Sequence, residues 1–374
     1  MKDMLYSIEQ TDERGRKRMG DKKKTVWNLI FLVVVFVLTM YFVFRGKDIS
    51  AVLETAREAD FRYLFVGIIC VILFILGEAT IIFYMMRTLG ASVKKTHCAL
   101  YSFVGFFYSC ITPSASGGQP MQIFYMKRDK LPVPVTTLVL MIVTITYKAV
   151  LVLVGVLVCL FGRDFLSGYL GDFMWVFYLG VALNVFCVTF MMILVFAPGL
   201  AKFIMVRGLK ILEKLHLLKK KEERLKKLEN SMDLYHETAA FWATHKRVIF
   251  NVFVITIIQR FFLFTVTWWV YLALGLSGHD FFTITLLQSV ISVSVDMLPL
   301  PGGMGISESL YLVMFEPIFG PLLLPSMLLS RGIGYYGEML ISAVMSVVAH
   351  FVIHGENVPE ENGRIKNLSS GGKH

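Results

Sequence analysis

The sequence carries little charge for its length. Charged residues make up 17% of its 374 residues, whereas about 25% is usual for a soluble domain. Apolar residues make up 56%, in long runs separated by short polar stretches. The longest stretch without such a run is 199–247. These features exclude a separate soluble catalytic domain and predict an all-α, polytopic helical membrane protein.

Cysteine and nucleotide-binding motifs are also scarce. The five cysteines are odd in number and include no C-x-x-C pair, so neither a disulfide framework nor a zinc site is indicated. No G-K-[S/T] sequence follows either glycine pair, and His350 and His354 lack the glutamate of an H-E-x-x-H site. We therefore expect no metal, no cofactor and no ATP-driven step.

The basic residues predict the topology. The 37 lysines and arginines exceed the 27 acidic residues by ten, and they cluster between the apolar runs, as the positive-inside rule requires. We expect a cytoplasmic basic amino terminus (1–26), one transmembrane domain (27–353) with a cytoplasmic amphipathic helical insert (199–247), and a cytoplasmic tail (354–374). Because the basic residues form no stripe on a soluble face, no nucleic-acid partner is expected.

The apolar runs predict about six full spans and two re-entrant, broken helices. The full spans are 27–44, 62–86, 133–160, 173–197, 248–275 and 322–353. Residues 97–112 form a run of about 24 Å as a helix, which is too short for the ~30 Å hydrocarbon core. This run meets the Pro/Gly stretch 113–120, and a second short run, 281–298, meets the break 299–303.

The two breaks suggest an inverted repeat. Each contains a glycine pair, Gly117-Gly118 and Gly302-Gly303, and each is followed by a cation, Lys148 or Arg331, about thirty residues later. Three full spans separate the hairpins, so they would enter from opposite sides, as in alternating-access transporters. Half-helix amino termini at such breaks can hold an anion. The alternative is that proline and glycine merely kink ordinary membrane helices.

Ionisable residues inside the apolar runs have two interpretations. They either form interhelical salt bridges or line a polar cavity for a phosphate-bearing head group. The cations are Lys148, Arg260 and Arg331, and the acids are Glu78, Asp296, Glu308 and Glu338. Glu308 could orient a cation or take a proton. The candidate substrate-binding residues are Lys148, Arg260, Arg331, Gly117, Gly118, Gly302, Gly303, Glu308, Glu338 and Tyr335; no catalytic residue is predicted.

The insert contains an amphipathic stripe at helical spacing. Its residues are Leu225, Leu228, Met232, Tyr235, Ala239 and Trp242. The stripe packs either on the cytoplasmic face of the protein itself or on the anionic leaflet.

Several of these residues resemble the sequence motifs of a known protein family. The sequence from Pro299 to Glu308, followed by Ser330 to Tyr336 and preceded by Pro113 to Pro120, resembles the lysylphosphatidylglycerol synthase transmembrane family. This is the flippase-like membrane half of the multiple peptide resistance factors. The resemblance implies a bacterial plasma-membrane protein that translocates anionic or aminoacylated phosphatidylglycerol. Because only a short tail follows His350, it implies a stand-alone translocator without the soluble synthase domain.

Two other functions stay open at this stage. One is an aminoacyl-tRNA-dependent phosphatidylglycerol lysyltransferase, for which the insert looks too small. The other is a proton-coupled transporter of a soluble anion, using Glu308 or Glu338. The expected partner is a membrane phospholipid, and a homo-oligomer or a separate lipid-modifying enzyme is left open.

Overall fold

The computed structural model describes residues 57–197 and 222–353, with the isolated positions 54, 199, 203 and 207, all within one unit, Glu54–His374. The predicted first span, 27–44, and the tail, 354–374, lie outside the described residues. The α-helices are α1 Phe61–Thr88, α2 Lys95–Ile111, α3 Gly118–Arg128, α4 Val133–Phe161, α5 Arg163–Leu170, α6 Met174–Phe196, α7 Glu222–Thr244, α8 Lys246–Phe264, α9 Val266–Ala273, α10 Phe281–Val295, α11 Ile306–Phe319, α12 Leu323–Arg331 and α13 Glu338–Val352. The described residues contain no strand.

Within the part of the chain that the structure describes, five helical stretches are long and apolar enough to cross a membrane. They are Phe61–Thr88, Val133–Phe161, Arg163–Phe196, Lys246–Ala273 and Pro301–Val352. These stretches overlap the five predicted full spans that fall within the described residues. The prediction of an all-α, polytopic membrane protein is confirmed.

The last predicted span, 322–353, is less regular than an uninterrupted helix. A π-helical turn, Gly332–Gly337, separates α12 from α13. Three of its six residues are glycine, which lowers the cost of leaving α geometry. Such turns are frequent at functional sites, and this one carries Tyr335. The loop expected after α4 also differs, because Arg163–Leu170 forms a short helix.

The first predicted hairpin consists of α2, a 3₁₀ turn at Pro113–Ala115, and α3. The start of α2 and the end of α3 are joined by His97 and Asp129, whose Nδ1 and Oδ2 atoms lie 2.6 Å apart. The Tyr101 hydroxyl also donates to Asp129. Only residues 89–94 connect α2 to the carboxyl end of α1, so this hairpin enters the bundle from that end.

The second hairpin consists of α10 and α11. The break between them, 296–305, is longer than the predicted 299–303 and contains a 3₁₀ turn at Pro301–Gly303. Asp280 caps α10, and hydrogen bonds from Thr283 hold the pKa of Asp280 below its usual value. At the other end of the hairpin, the ring of Phe319 lies 5.6 Å from that of Tyr271 in α9. Because α9 ends where Ala273 accepts a hydrogen bond from Asp60, this hairpin starts at the amino end of α1. The two hairpins therefore enter from opposite ends of the bundle.

The two breaks contact each other. The hydroxyl of Ser114 in the first break donates to the carbonyl of Leu298 in the second, at 3.4 Å. Ser114 and Ala115 have positive φ angles of 50° and 54°, which non-glycine residues seldom adopt and which are common at functional sites. Both residues are exposed, so the contact lies beside accessible space.

The helix of the insert packs against the protein itself. Met232, Tyr235, Ala239 and Trp242 are buried in the same core as the ends of α1, α4 and α13. The Tyr235 hydroxyl donates to the carbonyl of Leu194 in α6. Of the two alternatives for the stripe, these contacts favour packing on the protein over the leaflet.

Candidate functional site

Lys148 and Arg260 lie close to the midpoints of their helical stretches, and two acids, Glu78 and Glu338, lie within electrostatic range of Arg260. We call these four residues the central charged layer. Lys148 lies fifteen residues after the start of α4 and thirteen before its end. Arg260 lies fourteen residues after Lys246 and thirteen before Ala273. In transporters built from inverted repeats, the substrate sites lie near this depth.

Arg260 is held by aromatic rings rather than by an ion pair. Its Cζ atom lies 3.4 Å from the centroid of the Tyr147 ring and 4.9 Å from that of Phe74. Its Nε atom is buried without a hydrogen-bond partner among the described residues. Cation–π contacts favour a charged guanidinium without using its hydrogen-bond donors. Donor capacity therefore remains for an anionic ligand.

Two carboxylates flank Arg260 without pairing with it. Glu78 and Glu338 lie within electrostatic range of the guanidinium, but no carboxylate of the described residues comes within 4.0 Å of it. Glu78 accepts a hydrogen bond from the Gln122 amide at 2.6 Å. Glu338 is buried, and the thiol of Cys110 donates to it over 3.9 Å.

Lys148 forms an ion pair with the second break. Its Nζ atom lies 2.6 Å from Oδ2 of Asp296, which directly follows α10. It also contacts the sulfur of Met297. For Lys148, these contacts support the salt-bridge interpretation. The pair ties α4 to the start of the second break.

Arg331 braces the other side of the same break. Its Nη2 atom lies 3.0 Å from Oε1 of Glu308 and donates to the carbonyl of Gly302 at 3.1 Å. Its guanidinium also lies 4.8 Å from the centroid of the Tyr335 ring. The predicted cations of the two repeats therefore both contact the second break.

Glu308 caps the half-helix in which it lies. Its Oε2 atom accepts hydrogen bonds from the backbone N–H of Gly305, at 2.6 Å, and from the Ser307 hydroxyl. With Arg331 on the other carboxylate oxygen, both oxygens of Glu308 have partners. The amino end of α11 is thus partly satisfied by the protein, which reduces its capacity to hold an external anion.

The glycines of the second break fill backbone positions that a side chain would disturb. Gly302 has a φ of +58°, and a Cβ atom there would lie 2.2 Å from the Tyr335 ring. Gly303 has a φ of +64°, and its Cβ would lie 2.8 Å from Val295. Tyr335 in turn donates to the carbonyl of Cys110, at the end of α2, at 2.7 Å. Gly302 therefore permits the contact by which Tyr335 links the two hairpins.

The glycines of the first break allow close helix packing. A Cβ on Gly118 would lie 2.7 Å from the carbonyl of Gly105 in α2. Gly117 donates its N–H to the Thr112 hydroxyl at 2.9 Å, so this donor is also used within the protein. The structure gives both glycines a packing or capping role, and ligand binding by them stays a prediction.

A polar cavity of about 150 Å³ lies beside the central charged layer. Its lining includes Thr267, Gln288, Ser330, Arg331, Tyr335 and Glu338. At about 30 Å³ for each water, it has room for a few waters. Water in this cavity would reach Glu338 directly.

A larger groove lies between α1 and α8. It has a volume of about 1090 Å³, and apolar side chains such as Leu76, Phe250 and Val254 line it. Two cations, Arg87 and Lys95, stand at its end beside the base of the first hairpin, over the ring of Phe83. The groove thus combines apolar walls with two cations at one end.

The comparison with known families agrees with this architecture. The model of the lysylphosphatidylglycerol synthase TM region matches residues 28–342. The chain belongs to this family. No curated protein and no solved structure matches the chain. The family match covers both hairpins and the whole central charged layer, so the features described above lie within the family's membrane region.

Sequence reasoning missed several residues of the site. Tyr147, Gln122 and Cys110 contact the charged side chains, but a tyrosine, a glutamine or a cysteine in an apolar run gives no signal of its own. Glu78 was recognised as an interior acid but was not placed at the site. Only its contact with Gln122 and its proximity to Arg260 identify it.

Proposed function

We propose that this lysylphosphatidylglycerol synthase-family protein translocates a phospholipid with a phosphate-bearing head group, anionic or aminoacylated phosphatidylglycerol, between the leaflets. The observation that carries the proposal is Arg260. It is a cation at the middle of its helical stretch, held by Tyr147 and Phe74, with a buried Nε that has no partner among the described residues. A guanidinium with free donors binds phosphate through charge-assisted hydrogen bonds.

The groove between α1 and α8 favours a lipid over a soluble anion. A soluble anion needs only a polar route, whereas a phospholipid also needs an apolar path for its acyl chains. The apolar walls of this groove supply such a path, and Arg87 and Lys95 attract the phosphate at its end. The head group would then move to the central charged layer while the chains stay in the bilayer.

The test is a translocation assay in reconstituted vesicles. Fluorescent phosphatidylglycerol, lysylphosphatidylglycerol and phosphatidylcholine are compared, and dithionite reports the fraction of label in the outer leaflet. Arg260→Gln should lower the translocation rate roughly tenfold or more, since a hydrogen bond to a charged group contributes about 1.5–3 kcal/mol. Arg247→Gln is the matched control, because it removes the same charge from an exposed position of α8.

Folding and substrate class are controlled in the same experiment. Thermal unfolding in detergent shows whether Arg260→Gln keeps its fold. Radiolabelled glycerol phosphate in the vesicle lumen tests for transport of a soluble anion. The proposal fails if folded Arg260→Gln translocates lipid as fast as Arg247→Gln, or if glycerol phosphate moves while no lipid does.

A further inference from the structure

Among the described residues, the interior ion pairs leave one carboxylate without a compensating charge. Of the seven interior ionisable residues, Lys148 pairs with Asp296 and Arg331 pairs with Glu308. The remaining three are one cation, Arg260, and two acids, Glu78 and Glu338. A buried carboxylate without a compensating charge is expensive at membrane depth. The simplest way to remove this cost is to bind one proton.

Helix packing brings the three groups together. A Cβ on Gly77 would lie 2.7 Å from Gln259, so α1 and α8 are in close contact at the level of Glu78 and Arg260. Both Glu78 and Glu338 lie within electrostatic range of Arg260, and they lie within range of each other. A single proton shared by the two acids would therefore leave Arg260 with one counter-charge.

The surroundings of both acids allow either protonation state. Glu78 faces the Gln122 amide of α3 and lies near the buried, unpartnered Ser102 hydroxyl of α2. Glu338 faces the Cys110 thiol of α2 and opens onto the polar cavity. These neutral groups can donate to a carboxylate, and the serine hydroxyl can also accept from a carboxylic acid.

The other charged or titratable groups that the structure describes around the pair already have partners. Lys148 lies within electrostatic range of Arg260 but is paired with Asp296. Arg331 lies near Cys110 but is paired with Glu308. Tyr335, which lies within range of Glu338, donates to a backbone carbonyl. None of these groups therefore supplies a second positive charge to Glu78 and Glu338.

We propose that Glu78 and Glu338 form a proton-binding pair around Arg260, and that this pair couples proton uptake to anion binding. Without ligand, the pair holds one proton. When a phosphate binds Arg260, the remaining carboxylate loses its counter-charge and takes a second proton from water. By linkage, each ligand then strengthens the binding of the other. The coupling rests on the proposed function. The proton that the pair holds without ligand, which we call the resting proton, does not.

Infrared spectroscopy of the full-length protein in nanodiscs tests the resting proton. A protonated carboxylic acid has a C=O stretch that is separate from the carboxylate bands and shifts in D₂O. We expect this band in the wild type at pH 7. It should be lost in Glu78→Gln and in Glu338→Gln, because the one remaining carboxylate is then balanced by the charge of Arg260 and needs no proton. Glu316→Gln, at an exposed position of α11, is the matched control and should keep the band.

The opposite change gives an independent check. Arg260→Gln should roughly double the band, because both acids then lack a counter-charge and both bind a proton. The proton-binding pair is overturned if the wild type shows no such band, or if the band survives in both single glutamine variants. The wild-type measurement alone can exclude the idea, so a variant that fails to fold does not block the test.

A second measurement tests the coupling. Vesicles containing a pH-sensitive dye and the wild-type protein receive phosphatidylglycerol in one leaflet only. We expect the lumen to change pH as the lipid moves, and this change should be lost in the double variant Glu78→Gln/Glu338→Gln, which has no carboxylate left beside Arg260 to take up a proton. Lipid movement without any pH change overturns the coupling but leaves the proposed function intact. If no lipid moves, the proposed function fails while the infrared result still decides the resting proton.

Discussion

At the scale of single residues, Arg331 has more protein partners than a free ligand-binding cation would have. It contacts Glu308, the carbonyl of Gly302 and the Tyr335 ring. We expect Arg331→Gln to lower thermal stability in detergent and in lipid alike, because Glu308 loses its counter-charge. Thermal unfolding of the purified protein measures this effect.

A second variant separates an unbalanced charge from a lost ligand. Adding Glu308→Gln to Arg331→Gln removes the uncompensated carboxylate, so the double variant should recover part of the lost stability. If Arg331→Gln instead keeps its melting temperature in detergent and loses only the stabilisation given by added phosphatidylglycerol, then Arg331 acts as a ligand-binding residue.

Gly302 offers a second test at this scale. In Gly302→Ala, the new methyl group would meet the Tyr335 ring at 2.2 Å, on a backbone with φ of +58°. We expect Tyr335 to move, its hydrogen bond to Cys110 to break, and the translocation rate to fall in the vesicle assay. Gly168→Ala in α5 is the control, since a Cβ there meets no atom within 4 Å. Equal rates for the two variants would show that the Tyr335 link is dispensable.

At the scale of helices, the two hairpins could be predicted from sequence because local chemistry determines them. Short apolar runs and Pro/Gly breaks mark where each helix must stop. The capping of α11 was also readable in principle, since Gly305 and Glu308 have the spacing of an N-cap and its third residue. The pairing of Lys148 with Asp296 was not readable, because it joins positions 148 residues apart, which only the fold brings together.

The orientation of the hairpins in the membrane gives a test at the helix scale. Lys127 lies near the end of α3, and Pro321 follows α11, so these positions lie at opposite ends of the bundle. Single cysteines at these positions, Lys127→Cys and Pro321→Cys, should be labelled by an impermeant maleimide from opposite sides of the membrane. The parent chain measures the background from its five cysteines. Labelling of both positions from the same side would contradict an inverted repeat.

At the scale of the whole molecule, the two halves do not divide the charges equally. Both ion pairs, Lys148–Asp296 and Arg331–Glu308, brace the second break. The first break instead has the strained backbone of Ser114 and Ala115 and an exposed surface. We infer that the second break is the more rigid element and that the first hairpin moves against it.

This asymmetry leads to a prediction about motion. The cavity of about 150 Å³ beside Glu338 is small for a phospholipid head group, and we expect the two breaks to separate at the contact between Ser114 and Leu298 during transport. A short thiol crosslinker between Ser114→Cys and Leu298→Cys should therefore stop translocation, and a cleavable linker should restore it on reduction. Each single variant, treated in the same way, controls for labelling alone. If the crosslinked protein translocates lipid at the rate of the single variants, the breaks need not separate, and the head group must follow another path.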